Sequence, residues 1–265
     1  MSYTLFTGCS YTQGTGFDLL SQQPELWVNL LHKKNPYLKK TQLLNVAVGG
    51  RSNAGIFQDT VWNLLNKDCK YALVEWTSAP RFEFSLGLEL YETNTVFGYN
   101  FSQRPHQLHD VVYSKDYLEN IQNRFVTLLN VHLEICNLLY YINIIINLAN
   151  RTDTKLFFIN GICPWDNNYF NKLTNILPTS YTDFTKILLD TDTRDDEQVF
   201  ELYEKIHNEY LESGGIHPEY WINLYQSMFN TIVDYNNDGI HPGIQSNQHY
   251  SDLFNQSINS RLQSI

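Results

Sequence analysis

Tyr3-Thr4-Leu5-Phe6-Thr7-Gly8-Cys9-Ser10-Tyr11-Thr12-Gln13-Gly14 joins a short apolar run to a glycine and a polar turn. Such a run, ending at glycine, reads as a buried strand over Tyr3 to Phe6. The residues after Gly8 read as a strand-to-helix turn that presents Ser10. Gly8 lets the chain turn tightly there, and Gly14 permits close packing behind it.

The same grammar recurs along the chain. Leu43 to Val48 (LLNVAV) reads as a second strand stopping at Gly49-Gly50, and Tyr71 to Trp76 (YALVEW) as a third. Lys155 to Ile159 reads as a fourth, and Lys186 to Leu189 as a weaker fifth. Helical spacing occupies Phe17 to His32, interrupted by Pro24, and Asn53 to Leu65, with Ser52 near its cap. Asp116 to Asn150 reads as one long helix with an apolar stripe. Asp195 to Glu212, Glu219 to Ile232 and Gln245 to Leu262 complete the helical set. This alternation predicts an α/β chain with a doubly wound parallel sheet of about five strands, helices covering both faces. Residues 1–265 read as a single domain, with insertions near 82–114 and 164–196.

Composition bounds what such a domain does. The 265 residues are 43% hydrophobic, enough for one substantial core. The formal net charge is −10, and Lys33-Lys34 and Lys39-Lys40 are isolated pairs suited to a solvated helix end. No basic patch points to nucleic acid as a partner. Cys9, Cys69, Cys136 and Cys163 are widely spaced, without metal-ligand spacing or a disulfide framework, and read as reduced and mostly buried. The N-terminus lacks a basic region followed by an apolar segment, so no secretory signal is expected. Ile135 to Leu148 is too short to span a bilayer and contains Asn137, Asn143 and Asn147. The expectation is a cytoplasmic chain without a membrane span.

Three segments follow predicted strands: Gly8–Ser10, Gly49–Asn53 and Trp76–Ser78. Sites in open parallel sheets lie at the carboxyl ends of the strands, so all three face one crevice. Ser10 there has either an exposed nucleophilic hydroxyl beside backbone N–H donors or a plain role as a helix cap. Asp238-Gly239-Ile240-His241-Pro242-Gly243, near the other end, places an acid and a histidine three apart in a turn. The carboxylate can hold one imidazole nitrogen while the other takes a serine proton. The plainer readings are a solvated turn histidine or half of a metal site, though no HxxE or HxH pattern supplies further ligands. His217 echoes the motif without an acid three residues back, and reads as a loop or cap histidine.

Together these segments resemble the SGNH (GDSL-type) hydrolase superfamily. Gly8-Cys9-Ser10-Tyr11-Thr12 is similar to its first sequence block, Asn45-Val46-Ala47-Val48-Gly49-Gly50 to its second, and Asp238-Gly239-Ile240-His241 to its last. The resemblance implies a flavodoxin-like three-layer α/β/α fold, with Ser10 as nucleophile, His241 as base and Asp238 as the orienting acid. It places the oxyanion glycine on Gly50 and implies no metal or organic cofactor. Two positions depart from the pattern. Cys9 stands where the family has Asp. The third block, Gly-x-Asn-Asp, is replaced by Trp76-Thr77-Ser78-Ala79-Pro80-Arg81, without the Asn that donates to the oxyanion. Asn53, Thr77 or Ser78 are the candidate substitutes. Arg81 either binds an anionic or sugar-bearing substrate or pairs with Glu83 or Glu75. This variant of the third block also resembles SGNH-like proteins encoded by tailed phages of marine bacteria, which implies a host-cytoplasm or virion setting.

The leading expectation is a serine-type ester hydrolase, a carbohydrate O-deacetylase or small acyl esterase, whose partner is an acylated carbohydrate or other small ester. The alternatives are a glycan-binding or virion-associated module that has lost activity with the third block, and an acyltransferase using the same triad.

Overall fold

The computed structural model describes residues 2–15, 24–77, 82–85, 93–96, 107–108, 111–112, 131–161, 217–223, 227–239 and 241–263. Its centre is a four-stranded parallel sheet of β1 (Tyr3–Thr7), β2 (Gln42–Asn45), β3 (Cys69–Trp76) and β4 (Lys155–Asn160), in the order β2-β1-β3-β4. This is the doubly wound order with its switch point beside β1. The expected fifth strand at Lys186 to Leu189 lies outside the described residues, as does the helix expected at Asp195 to Glu212.

Alternation along each strand builds two cores, because successive side chains point to opposite faces. Leu5, Ala72, Val74, Trp76, Leu156 and Phe158 face one layer, made by α3 (Asn53–Asn66) and α4 (Val131–Arg151). Phe6, Tyr71, Leu73, Phe157 and Ile159 face the other, made by α2 (Trp27–Lys34) and α5 (Ile244–Gln263). Each fully buried Leu or Phe contributes about 1.5–3 kcal/mol. By the same parity Glu75 belongs with Tyr71 and Leu73, yet it is completely buried.

Three readings need correction, at the end of β2, at Glu219 to Ile232 and near 82–114. β2 ends at Asn45 and not at Val48, because the Asn45 side chain turns the chain: its Oδ1 accepts the Ala47 N–H (3.1 Å) and its Nδ2 donates to Thr12 O (2.9 Å). The helix expected over Phe17 to His32 is present as Trp27–Lys34, and residues 17–23 lie outside the described residues. Glu219 to Ile232 is not one helix. Short 3-10 turns at Pro218–Tyr220 and Phe229–Thr231 flank a segment laid along the outer edge of β4, where Trp221 bridges Phe158 and the Asn223 amide clamps the backbone of Asn160. Side-chain amides there satisfy an edge that a helix would leave open. Finally, the insertion expected near 82–114, where no strand was expected, holds among the described residues two antiparallel pairs, Phe82–Ser85 with Thr93–Val96 and Gln107–Leu108 with Val111–Val112. Among the described residues no helix is long and apolar enough to cross a membrane.

Candidate active site

Ser10 is the first residue of α1 (Ser10–Gln13), directly after β1. The residue at the cap position is Cys9, whose side chain makes no capping hydrogen bond. Ser10 is therefore not the cap of its helix, which removes the plain reading of this motif. Its hydroxyl makes no hydrogen bond to the described residues, and it is 7% exposed, less than the open hydroxyl expected. The loop after β2 is laced onto the same turn: Val48 N–H donates to Gly8 O (3.2 Å) and Gly49 N–H to Gln13 Oε1 (2.7 Å). Gly50 lies in this loop at φ +81°, a conformation that costs a side-chain-bearing residue energy. Arg51 anchors the loop by a two-pronged ion pair with Asp59 on α3, at 2.9 and 3.0 Å.

The carboxylate of Glu75 reaches this turn from β3. Its Oε2 accepts the N–H of Cys9 (3.1 Å), the N–H of Thr12 (3.2 Å) and the Thr12 hydroxyl, while Oε1 accepts the Cys9 thiol (2.9 Å). Glycines make room on both sides. A Cβ added at Gly8 would come 2.7 Å from Glu75 Cβ, and one at Gly161 would come 2.8 Å from Glu75 Cδ. The Cys9 thiol, fully buried and donated to a carboxylate, is thus a structural group of the turn.

The last block is a tight loop leading into α5. Tyr235 bridges Pro242, Asn236 N–H donates to His241 O (2.8 Å), and Gly239 N–H donates to Asn236 O (2.9 Å). Asp238 grips His241 twice, accepting its backbone N–H (3.0 Å) and meeting its Nδ1 at 2.6 Å. A carboxylate only accepts, so Nδ1 carries the proton and Nε2 keeps its lone pair in the neutral ring. The imidazole stands edge-on to Tyr11, with ring centroids 6.0 Å apart. The two ends of the chain thus meet at Tyr11, the residue that follows Ser10. Burial above all, with neighbouring Cys9, Tyr250, Glu75 and Tyr235 adding, pushes the Tyr11 phenol far up, so it stays a neutral hydroxyl.

Asp234 fixes where this loop enters α5. It accepts the N–H groups of Gln245 (3.1 Å) and Ser246 (2.7 Å) and the Ser246 hydroxyl (2.7 Å), an external cap on the helix. Burial pushes the Asp234 carboxyl up, but the Ser246 and Gln245 donors outweigh it and hold it below the usual carboxylate range. A carboxyl lowered by folding gives stability that is complete above its unfolded pKa and is lost as pH falls through the folded value. Asp234→Asn replaces charge-assisted hydrogen bonds by neutral ones and is expected to be about 1 kcal/mol less stable at pH 7. The deficit should shrink at acid pH, which paired thermal melts would check.

At the third strand, the Asn53 amide holds the backbone of Thr77, accepting its N–H (2.9 Å) and donating to its carbonyl (3.1 Å). The Thr77 hydroxyl is buried and has no hydrogen-bond partner among the described residues. Ser78 and Arg81 lie outside the described residues. His217, read from sequence as a loop or cap histidine, meets Asn143 Oδ1 through Nε2 (2.9 Å) and Glu219 through Nδ1 (3.4 Å), a structural role. Among the described residues no cluster of His, Cys, Asp and Glu could hold a metal ion. Sequence reasoning missed Glu75 and Asp234. The signal for Glu75 was a lone charge inside YALVEW; for Asp234 there was none.

A scan of family profiles and a search of curated proteins each found no match. Solved structures similar to the chain include TesA, at 12% identity and TM-score 0.49, covering 98% of this chain and 99% of that one. The psychrotrophic esterase EstA from Pseudoalteromonas sp. matches at 14% identity and TM-score 0.47, covering 98% of each chain. A carbohydrate acetylesterase family member from Sinorhizobium meliloti matches at 10% identity and TM-score 0.44, covering 99% of this chain and 100% of that one. At this distance the likeness says nothing of substrate.

Proposed function

We propose that the chain is a serine-type ester hydrolase acting on a small acyl ester or acylated carbohydrate. The observation that carries this reading is the Asp238–His241 pair, 2.6 Å apart and placed edge-on to Tyr11, the residue after a serine whose hydroxyl makes no hydrogen bond among the described residues. In this mechanism Ser10 Oγ attacks the acyl carbonyl and its proton passes to His241 Nε2. Asp238 keeps the imidazole in the required tautomer and stabilises the cation formed. The Ser10 and Gly50 N–H groups, neither given to an acceptor among the described residues, receive the oxyanion. His241 then returns the proton to the departing alcohol. Water repeats the cycle on the acyl-enzyme, so no cofactor takes part. Transfer to an alcohol acceptor would use the same groups.

Thr77 takes the place of the missing third-block Asn in this scheme. Its buried hydroxyl, without a partner among the described residues, can turn toward a new acceptor, and Asn53 fixes its backbone from both sides. Thr77→Val is expected to lower kcat by about 10²-fold with little change in KM. Steady-state hydrolysis of p-nitrophenyl acetate would measure it. The reading itself is tested on p-nitrophenyl acetate, p-nitrophenyl butyrate and acetylated xylo-oligosaccharide. Turnover above a Ser10→Ala background is expected on at least one, and none on any of them would count against it.

A further inference from the structure

We infer that Glu75 is the positioning residue of the Ser10 turn: reaching across from β3, its carboxylate caps the helix that carries Ser10 and leaves the Ser10 N–H for the oxyanion. This rests on the proposed reading of Ser10 as nucleophile. Helix α1 has four residues, too few to sustain itself, and the first N–H groups of any helix lack internal partners. A side chain at the cap position commonly satisfies one of them. Cys9 does not do so. Glu75 accepts the N–H of Cys9 at 3.1 Å and that of Thr12 at 3.2 Å, the residues that bracket Ser10 and Tyr11. The cap and the third helical residue are thereby fixed, and the Ser10 N–H between them, which the reaction needs, has no acceptor among the described residues.

Several features show that this carboxylate is kept for position. It is wholly buried on a face whose other strand residues are Tyr71 and Leu73. Burying a carboxylate is expensive unless its lone pairs are used, and an apolar side chain of similar volume often gives equal or greater stability. Gly8 and Gly161 are both held to glycine by its bulk. The Thr12 hydroxyl and the Cys9 thiol also point to it, so one group on β3 fixes both sides of the Ser10 turn.

The test compares Glu75→Gln and Glu75→Leu with the wild type. The readouts are the rate of Ser10 phosphonylation by a fluorophosphonate and hydrogen exchange at the Cys9 and Thr12 amides. Glutamine can keep an oxygen toward both N–H groups, so slow exchange and a rate within about ten-fold of wild type are expected. Leucine should expose both amides to exchange and slow phosphonylation by about 10²-fold at temperatures where the protein is folded. Ile142→Ala, a destabilising change in the opposite core, should leave the rate unchanged, which separates positioning from stability. If Glu75→Leu does not fold, Glu75→Gln decides: retained protection with a near-normal rate supports the role, and lost protection with a normal rate overturns it. A wild type that reacts and a folded Glu75→Leu that reacts equally overturn the positioning role alone. A wild type that never reacts overturns the nucleophile reading, and this role with it.

Discussion

Ser10→Ala and His241→Ala are each expected to lower ester hydrolysis by about 10⁴-fold or more, and the double variant no further than either single one. The equality comes from how the groups act. Without His241 the Ser10 hydroxyl has no base, and without Ser10 the imidazole has nothing to activate. Neither loss should unfold the protein. The Ser10 hydroxyl makes no hydrogen bond to the described residues, so Ser10→Ala should shift stability by no more than about 0.5 kcal/mol. Rates for the three variants on one activated ester, with melts for each, check both halves. Multiplying losses in the double variant would show that the two residues act separately.

Trp27→Ala is expected to have the largest effect on stability, about 3–5 kcal/mol. Trp27 is 1% exposed and meets Phe6 on β1 and Phe254 on α5 edge-on, at 5.7 and 5.2 Å. Its indole N–H donates to Tyr11 O (3.1 Å), and its backbone N–H donates to the Asn247 side chain (2.9 Å). One residue thus joins the turn that carries Ser10 to the helix that lies just after His241. Trp27→Phe keeps most of the ring and loses the indole donor, so it should cost only about 1 kcal/mol more than the small volume change. Chemical denaturation of the two variants would measure the difference. A Trp27→Ala loss below about 1 kcal/mol would contradict this joint.

The features legible in the sequence were local ones. The apolar runs at Tyr3, Tyr71 and Lys155 became strands because their alternating side chains fill both cores. Ser52 became the cap of α3, accepting the Gly55 N–H at 3.2 Å, because capping is decided within one turn. Asp238 and His241 pair because they are three residues apart in a turn. The features that escaped were set by contacts between distant positions. Glu75 meets Cys9 across 66 residues, and nothing near YALVEW says which helix it caps. The end of β2 depends on an Asn45 bond to Thr12. The segment after Pro218 has helical spacing, yet its Trp221 and Asn223 are claimed by the edge of β4. Tertiary partners override local preference where a strand edge needs its hydrogen bonds satisfied.

Ser10 as a nucleophile activated by His241 carries the whole proposed chemistry. Treating the protein with an alkyl fluorophosphonate and locating the adduct by mass spectrometry tests it directly. One adduct per chain is expected, on the peptide that contains Ser10, and it should be absent from both Ser10→Ala and His241→Ala. An unlabelled wild type, or an adduct that persists in Ser10→Ala, would contradict the claim.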